Sequence, residues 1–353
     1  MRLGDKLDLL VQKMNKVLIS LLLFIPSYLY ANSCVVLLYH NVSESTPKST
    51  SISPNLFDKH LKYLYENEYN VISLKDMIEG IKLMSLPNKC VSLTADDANE
   101  SIYSNALPIL LKYNMPLAVF VATEAIDLKY PAMMSWEQMK SMQDNNIYFY
   151  NHSVSHPYLI NMNEIEIKQQ VNQAQLRLEQ ELGVRDKFFA YPYGEQSVEI
   201  IELLEELQYV SFGQQSGAIS YNNDMLNLPR FPMSFQFADM KSFVTKINTL
   251  PMPIKYNRIN SAVIEQSPIL ILEFIDQVPL FRQKQFACYA GGISAITEWK
   301  SNNIVRVQSN KKILSRRFRY NCTMPTIDAD RYYWFSKQFI KSKEKNNKSN
   351  NRQ

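Results

Sequence analysis

Cys90-Val91-Ser92-Leu93-Thr94-Ala95-Asp96-Asp97-Ala98 is the stretch on which the fold turns. A short run of β-branched and aliphatic residues reads as a buried strand, and it delivers two adjacent carboxylates at its C-terminal end. In α/β folds that end is where sites are built, because its loops vary while the sheet stays rigid. Neighbouring carboxylates repel each other, so such a pair calls for a cation beside it. For a bare Asp-Asp the plain alternative is a solvated turn or a helix N-cap.

Working outward, Tyr148-Phe149-Tyr150-Asn151-His152-Ser153-Val154-Ser155-His156-Pro157 is an aromatic strand running directly into two histidines spaced i, i+4. The chain has only four histidines, so two within five residues is an unusual concentration. Neutral imidazoles with one carboxylate suit a borderline ion such as Zn2+, and leave coordination positions open for water and substrate. One carboxylate of the Asp96–Asp97 pair with His152 and His156 is therefore the expected ligand set, with Co2+ or Ni2+ as other ions for the same donors.

Thr94-Ala95-Asp96-Asp97-Ala98 resembles the Thr-Phe-Asp-Asp-Gly motif of the polysaccharide deacetylases, the NodB-homology or carbohydrate esterase family 4 group. Asn151-His152-Ser153-Val154-Ser155-His156 is similar to their His-Ser/Thr-x-x-His motif. Phe189-Ala190-Tyr191-Pro192-Tyr193-Gly194-Glu195 resembles their third motif, in the form found in the branch that deacetylates poly-β-1,6-N-acetylglucosamine. Leu38-Tyr39-His40-Asn41-Val42 is similar to the first strand of that branch. The four motifs come in the family's order across residues 34–250.

The resemblance implies a distorted (β/α) barrel and metal-dependent hydrolysis of N-acetyl groups on an N-acetylglucosamine-containing polysaccharide. It implies Asp97, with His152 and His156, as the metal ligands, Asp96 as general base, the backbone N–H of Tyr193 as donor to the oxyanion, and Tyr191 and Pro192 of the same turn as substrate-binding residues. Several positions depart from the pattern. Ala95 replaces a Phe and Ala98 a Gly, which should widen the pocket and alter the turn. Tyr191 stands where many members carry an arginine that orients the catalytic Asp, and Arg230 is the expected substitute. No histidine follows His156 to serve as the family's late general acid, so His40, after the first strand, is the candidate. His60 reads as structural. These departures leave open a non-catalytic glycan-binding protein, and peptidoglycan or chitin as the polymer.

The alternation of strand-like runs with helical stripes supports a parallel sheet. Ser53-Pro54 is an N-cap with an N1 proline, Ser135-Trp136-Glu137-Gln138 is a capping box, and Ile167, Val171, Ala174, Leu178 and Leu182 line one helix face. Residues 1–33 read as a signal peptide or N-terminal anchor: Lys13 and Lys16 precede an apolar run that is short for a membrane span and broken by Pro26. Ala31-Asn32-Ser33-Cys34 is a poor lipobox. Export fits an even number of cysteines, four in all. Cys34 and Cys90 open strands expected to be neighbours, which predicts one disulfide and leaves Cys288 to pair with Cys322.

Residues 251–340 read as a small β-rich domain, with strand-like runs at 286–289, 304–308, 317–320 and 332–335. Residues 281–320 hold nine Lys/Arg against one Glu, and Trp299, Tyr332, Tyr333 and Trp334 either stand exposed, suited to anionic glycan or sugar stacking, or form an aromatic core beneath a solvated face. Residues 341–353 form a basic, disordered-type tail. No phosphate-cradling glycine loop and no patterned aromatic/basic interleaving points to nucleic acid. The expected partner is the polysaccharide, with peripheral attachment to the cell envelope and a monomeric state.

Overall fold

The computed structural model describes residues 33–255, 263–264, 268–327 and 330–341. The expected export segment before Ser33 and the tail beyond Lys341 lie outside the described residues.

Six parallel strands follow one another in the larger sheet: β1 (Ser33–Tyr39), β2 (Cys90–Asp96), β3 (Leu117–Val121), β4 (Ile147–Asn151), β5 (Phe188–Ala190) and β6 (Val210–Phe212). Both faces are covered, so strands such as β1 and β3 are near-continuous apolar runs, and the polar Ser92 and Thr94 of β2 are buried with their hydrogen bonds made. Val35, Leu37 and Tyr39 of β1 and Val91, Leu93 and Ala95 of β2 point into one core. There they meet Phe57, Leu61 and Leu64 of helix α1 (Pro54–Glu66). The alternate residues, with Phe120, Tyr150, Phe188 and Phe212, form a second core. Phe120 on β3 and Phe212 on β6 have ring centroids 5.6 Å apart although two strands separate them, which requires the sheet to curl.

Residues 228–232 span the gap left by that curl. Leu228 hydrogen-bonds with Ser211 and Gly213 after β6, while Phe231 and Pro232 pair in parallel with Leu37 and Leu38 of β1. The result is the expected distorted barrel with fewer than eight regular strands. The expected caps are present: Ser53 accepts from Leu56 N, and Ser135 and Gln138 form the capping box. His60 is fully buried and stacks on Phe243, in the structural place expected of it. The Cys34–Cys90 and Cys288–Cys322 disulfides are both formed.

The C-terminal region is β-rich. Strands β7 (Ile269–Glu273), β8 (Ile296–Trp299) and β9 (Ile304–Gln308) make one antiparallel sheet. The paired β10 (Arg317–Pro325) and β11 (Tyr332–Lys341) anchor another. Leu250 and Pro251 pair with Tyr333 and Trp334 of that second sheet, stitching the two regions together. Of the two arrangements open for these aromatics, packing dominates, with Trp299, Tyr333 and Trp334 half-buried. Trp299 packs with Phe274 and Phe286, and Trp334 sits edge-on to Phe231 of the barrel. Burying an indole ring removes more apolar area from water than leaving it as a platform. Of the four, only Tyr332 is more than a third exposed, at 43%.

Candidate active site

The C-terminal ends of β2, β4 and β5 converge on one cluster. Strand β2 ends at Asp96, and the backbone then turns through left-handed conformations at Asp97 (φ 75°) and Ala98 (φ 60°). Ser153 and His156 in the next loop, and Tyr193 in the third, also have positive φ. Non-glycine residues in this region are strained, and such strain persists where the surroundings dictate it. Here the dictation is visible: Ser153 N donates to Asn151 Oδ1, and Gln170 Oε1 accepts from both Val154 N and Ser155 N.

Those turns bring Asp97, His152 and His156 together, with one ligating atom of each within 4.8 Å of the others. Asp97 Oδ1 lies 3.6 Å from Nε2 of His152 and 3.6 Å from Nε2 of His156. Donors about 2.1 Å from a tetrahedral ion would stand roughly 3.4 Å apart, so the spacing suits an ion of that size. A second observation agrees. His152 Nδ1 is 2.7 Å from the carbonyl oxygen of Ala190, which can only accept, so Nδ1 carries the proton. The lone pair is then on Nε2, a buried atom without a hydrogen-bond partner. Buried lone pairs are rarely left unmet, and a carbonyl-oriented imidazole is the usual supporting arrangement of a metal-binding histidine. For His156, burial lowers the pKa to about 4, so the ring is neutral at pH 7. The residues present fit a divalent cation.

Asp96, fully buried beside them, is 3.9 Å from His152 Nε2 and is held from the other side. Arg230 Nη1 and Nη2 donate to its two oxygens at 2.7 and 2.9 Å. Arg230 Nε donates to Gly213 O, Nη1 also reaches Thr94 Oγ1, and the guanidinium lies over Phe120. Burial would raise the Asp96 pKa, but Arg230, by its charge and its hydrogen bonds, outweighs it and holds the carboxyl at about 2. The residue expected to replace the family's arginine thus contacts Asp96 directly, from the segment that closes the barrel.

The remaining expected residues are placed unevenly. Tyr193 lies on the rim, its ring edge-on to His156 at 4.3 Å and stacked on Tyr158 at 4.2 Å. Tyr191 is buried beneath the turn and donates its hydroxyl to Leu226 O, and Pro192 is buried beside it. Both are too enclosed to touch a ligand, the Tyr191 ring packing among Ile167, Phe189 and Leu204. His40 follows β1, and its backbone carbonyl accepts from Asn99 Nδ2 in the turn after Asp97, at 3.3 Å. Ala95 lies within the core, so its small size does not widen a pocket. Sequence reasoning missed Glu195, Arg316, Arg317 and Gln338, which meet around the Tyr193 turn. Glu195 stood in plain view within the third motif, and the two arginines within the basic stretch 281–320.

The polysaccharide deacetylase family model matches residues 84–212. A poly-β-1,6-N-acetyl-D-glucosamine N-deacetylase of Staphylococcus aureus is 25% identical over 231 residues, covering 58% of this chain and 79% of that protein. Among solved structures, the deacetylase PplD of Streptococcus pyogenes, in complex with acetate, shares the fold with a TM-score of 0.58 at 24% identity. The match covers 61% of this chain and 98% of that one. IcaB from Ammonifex degensii gives a TM-score of 0.54 at 24% identity, over 61% and 95% of the two chains.

Proposed function

We propose that this chain, a member of the polysaccharide deacetylase family, removes acetyl groups from the amines of an N-acetylglucosamine polymer of the β-1,6-linked kind and releases acetate. The observation that carries this reading is the convergence of Asp97, His152 and His156 beside a second carboxylate, Asp96, that is held apart from them by Arg230. A divalent ion, Zn2+ by the donor set, would be held by those three residues; when bound it supplies Lewis-acid polarisation of the amide carbonyl and a water of lowered pKa.

The chain's own residues supply the rest. Asp96 accepts the proton of the attacking water, and Arg230 keeps that carboxylate ionised and aimed. The ion pair makes Asp96 a weak base, so its contribution is geometry and a fixed negative charge more than intrinsic basicity. The backbone N–H of Tyr193 donates to the oxygen that becomes negative as the tetrahedral centre forms. His40 gives a proton to the departing amine, the role left open by the absence of a later histidine. Exposing amines makes the polymer cationic, which suits an exported, envelope-associated enzyme of biofilm matrix. A monomer suffices, since every residue named lies on one chain.

The test is acetate release from β-1,6- and β-1,4-linked N-acetylglucosamine oligomers, after chelation and after restoring Zn2+, Co2+ or Ni2+. Metal-restored release on the β-1,6 series, lost in Asp96→Asn and His152→Ala, is the expected result. Binding of oligomer with no release under any ion would overturn the proposal in favour of a glycan-binding protein. Preference for β-1,4 oligomers would redirect it to chitin or peptidoglycan.

A further inference from the structure

The strained turn at Tyr193 is gripped from outside the region that carries the four motifs. Tyr193 and Gly194 are consecutively left-handed, at φ 60° and 66°. For a non-glycine residue that conformation costs about 1–2 kcal/mol, so something must hold it. A Cβ on Gly194 would come within 2.9 Å of the backbone nitrogen of Gln214, so the chain passes too close there for any other residue. Three successive residues of the turn are then held by the C-terminal sheets. Arg317 Nη1 donates to Tyr193 O at 3.1 Å, Gln338 Nε2 donates to Gly194 O at 2.7 Å, and Arg316 donates to both oxygens of Glu195 at 2.6 and 2.8 Å. Glu195 is completely buried, and a buried carboxylate stays ionised in place only with such a partner. The Arg316 guanidinium also lies 4.3 Å over the ring of Tyr158, which is stacked on Tyr193.

We propose that Arg316 is a positioning residue for deacetylation: it fixes both neighbours of Tyr193, the Glu195 carboxylate and the Tyr158 ring, so that the 193 N–H faces the reacting carbonyl. The C-terminal β-rich region is then a working part of the active site. This rests on the N-deacetylase reading above. Arg316 itself touches none of the metal-ligand candidates, and it acts through the turn.

The test uses the full chain, comparing Arg316→Ala, Arg316→Lys, Glu195→Gln and the double variant Glu195→Gln/Arg316→Met with wild type. Misplacing a donor by about 1 Å costs on the order of 10²-fold in rate, so Arg316→Ala should lose 10- to 100-fold in kcat. KM and Zn2+ affinity should stay within about threefold, since neither depends on the oxyanion donor. Arg316→Lys should recover part of the loss, and the double variant should be no worse than Arg316→Ala. Amide exchange, read without substrate, should speed up in peptides covering 190–197 and not in β1 or β3. An unchanged kcat in folded Arg316→Ala, or unchanged exchange at the turn, would overturn the proposal. So would faster exchange everywhere with a lowered Tm, which marks a global role. Should Arg316→Ala not fold, the lysine and double variants carry the same comparison. If wild type releases no acetate, the deacetylase reading fails while the exchange arm still decides whether Arg316 holds the turn.

Discussion

Arg230 and Asp96, 134 residues apart in the chain, face each other through two parallel N–H···O bonds of 2.7 and 2.9 Å, with both side chains fully buried. Removing one member of a buried pair strands the other, at about 3–5 kcal/mol. Asp96 in the intact protein is held at about 2, below its ordinary 3.8. Its ionisation therefore contributes stability that is present above pH ~4 and is lost as pH falls through ~2. In Arg230→Gln only burial remains as a dominant influence, and it raises the carboxyl pKa. The variant should lose stability as pH rises above ~4, the reverse of wild type, and the acid limb of its kcat/KM profile should move up by about one unit or more. Urea titrations at a series of pH values, with the same series for activity, check both. Parallel pH profiles for the two proteins would show that the pair does not govern Asp96.

Ala98 occupies a left-handed position, φ 60°, where the family motif has glycine. Ala98→Gly relieves strain of about 1 kcal/mol but removes a methyl group that is fully buried in the core, worth about 1 kcal/mol the other way. The expected stability change is therefore near zero, within about 1 kcal/mol, and acetate release should be equal or higher because the turn after Asp97 relaxes. A loss of more than tenfold in kcat would mean that the strain itself sets the position of Asp97.

The barrel and its site were legible because their residues announce themselves locally. Cys90–Asp96 carries a β-branched and aliphatic run, and the Asp-Asp and His-x-x-x-His spacings sit at strand ends. Arg230 was legible only as a candidate, since its partner is fixed by a closure that pairs β1 with β6 through residues 228–232 and no local pattern encodes it. Tyr191 was misjudged for the opposite reason. Its place in a motif suggests contact with ligand, while tertiary packing turns its hydroxyl onto Leu226 O. Strand β7 and the C-terminal half of β10 escaped notice. In β7 the outward residues Ile269 and Ile271, 46% and 59% exposed, blur the polar/apolar alternation that marks a half-buried strand. The grip of Arg316 on Glu195 spans 121 residues, which no spacing rule can reach.

The Cys34–Cys90 disulfide joins β1 to β2 at paired positions in the sheet register, at the strand ends opposite the site. It closes a loop of 56 residues, for which the chain-entropy estimate is about 4 kcal/mol, with real values spread between ~2 and ~5. Cys34→Ser/Cys90→Ser should lower the urea midpoint accordingly. At 25 °C kcat should remain within about twofold of wild type, because the turns around Asp97 and His156 are held by their own hydrogen bonds and lie at the other end of the strands. A kcat loss matching the stability loss would show that the sheet transmits the change to the site.

His60 gives a second, separable pH dependence. Tyr39 donates its hydroxyl toward Nδ1 at 3.1 Å and Nε2 donates to Ala238 O at 2.7 Å, which satisfies the neutral ring on both sides. Burial keeps the Tyr39 phenol protonated, as that bond requires. Burial, aided by the charge of Lys246 and opposed by the Ala238 bond and Asp239, lowers the His60 pKa from 6.5 to about 4. In the unfolded chain the ring takes up a proton below pH ~6.5, while in the folded protein it stays neutral down to ~4. Stability should therefore fall as pH drops through that window, by up to ~3 kcal/mol from this residue. His60→Gln should be less stable at pH 7 yet show a shallower slope between pH 6.5 and 4 than wild type. The other histidines are the same in both proteins, so the comparison isolates position 60. The measurement is the difference in unfolding free energy between wild type and variant at pH 7 and pH 4.5. A constant difference would show that His60 titrates in the folded protein much as it does in the unfolded chain.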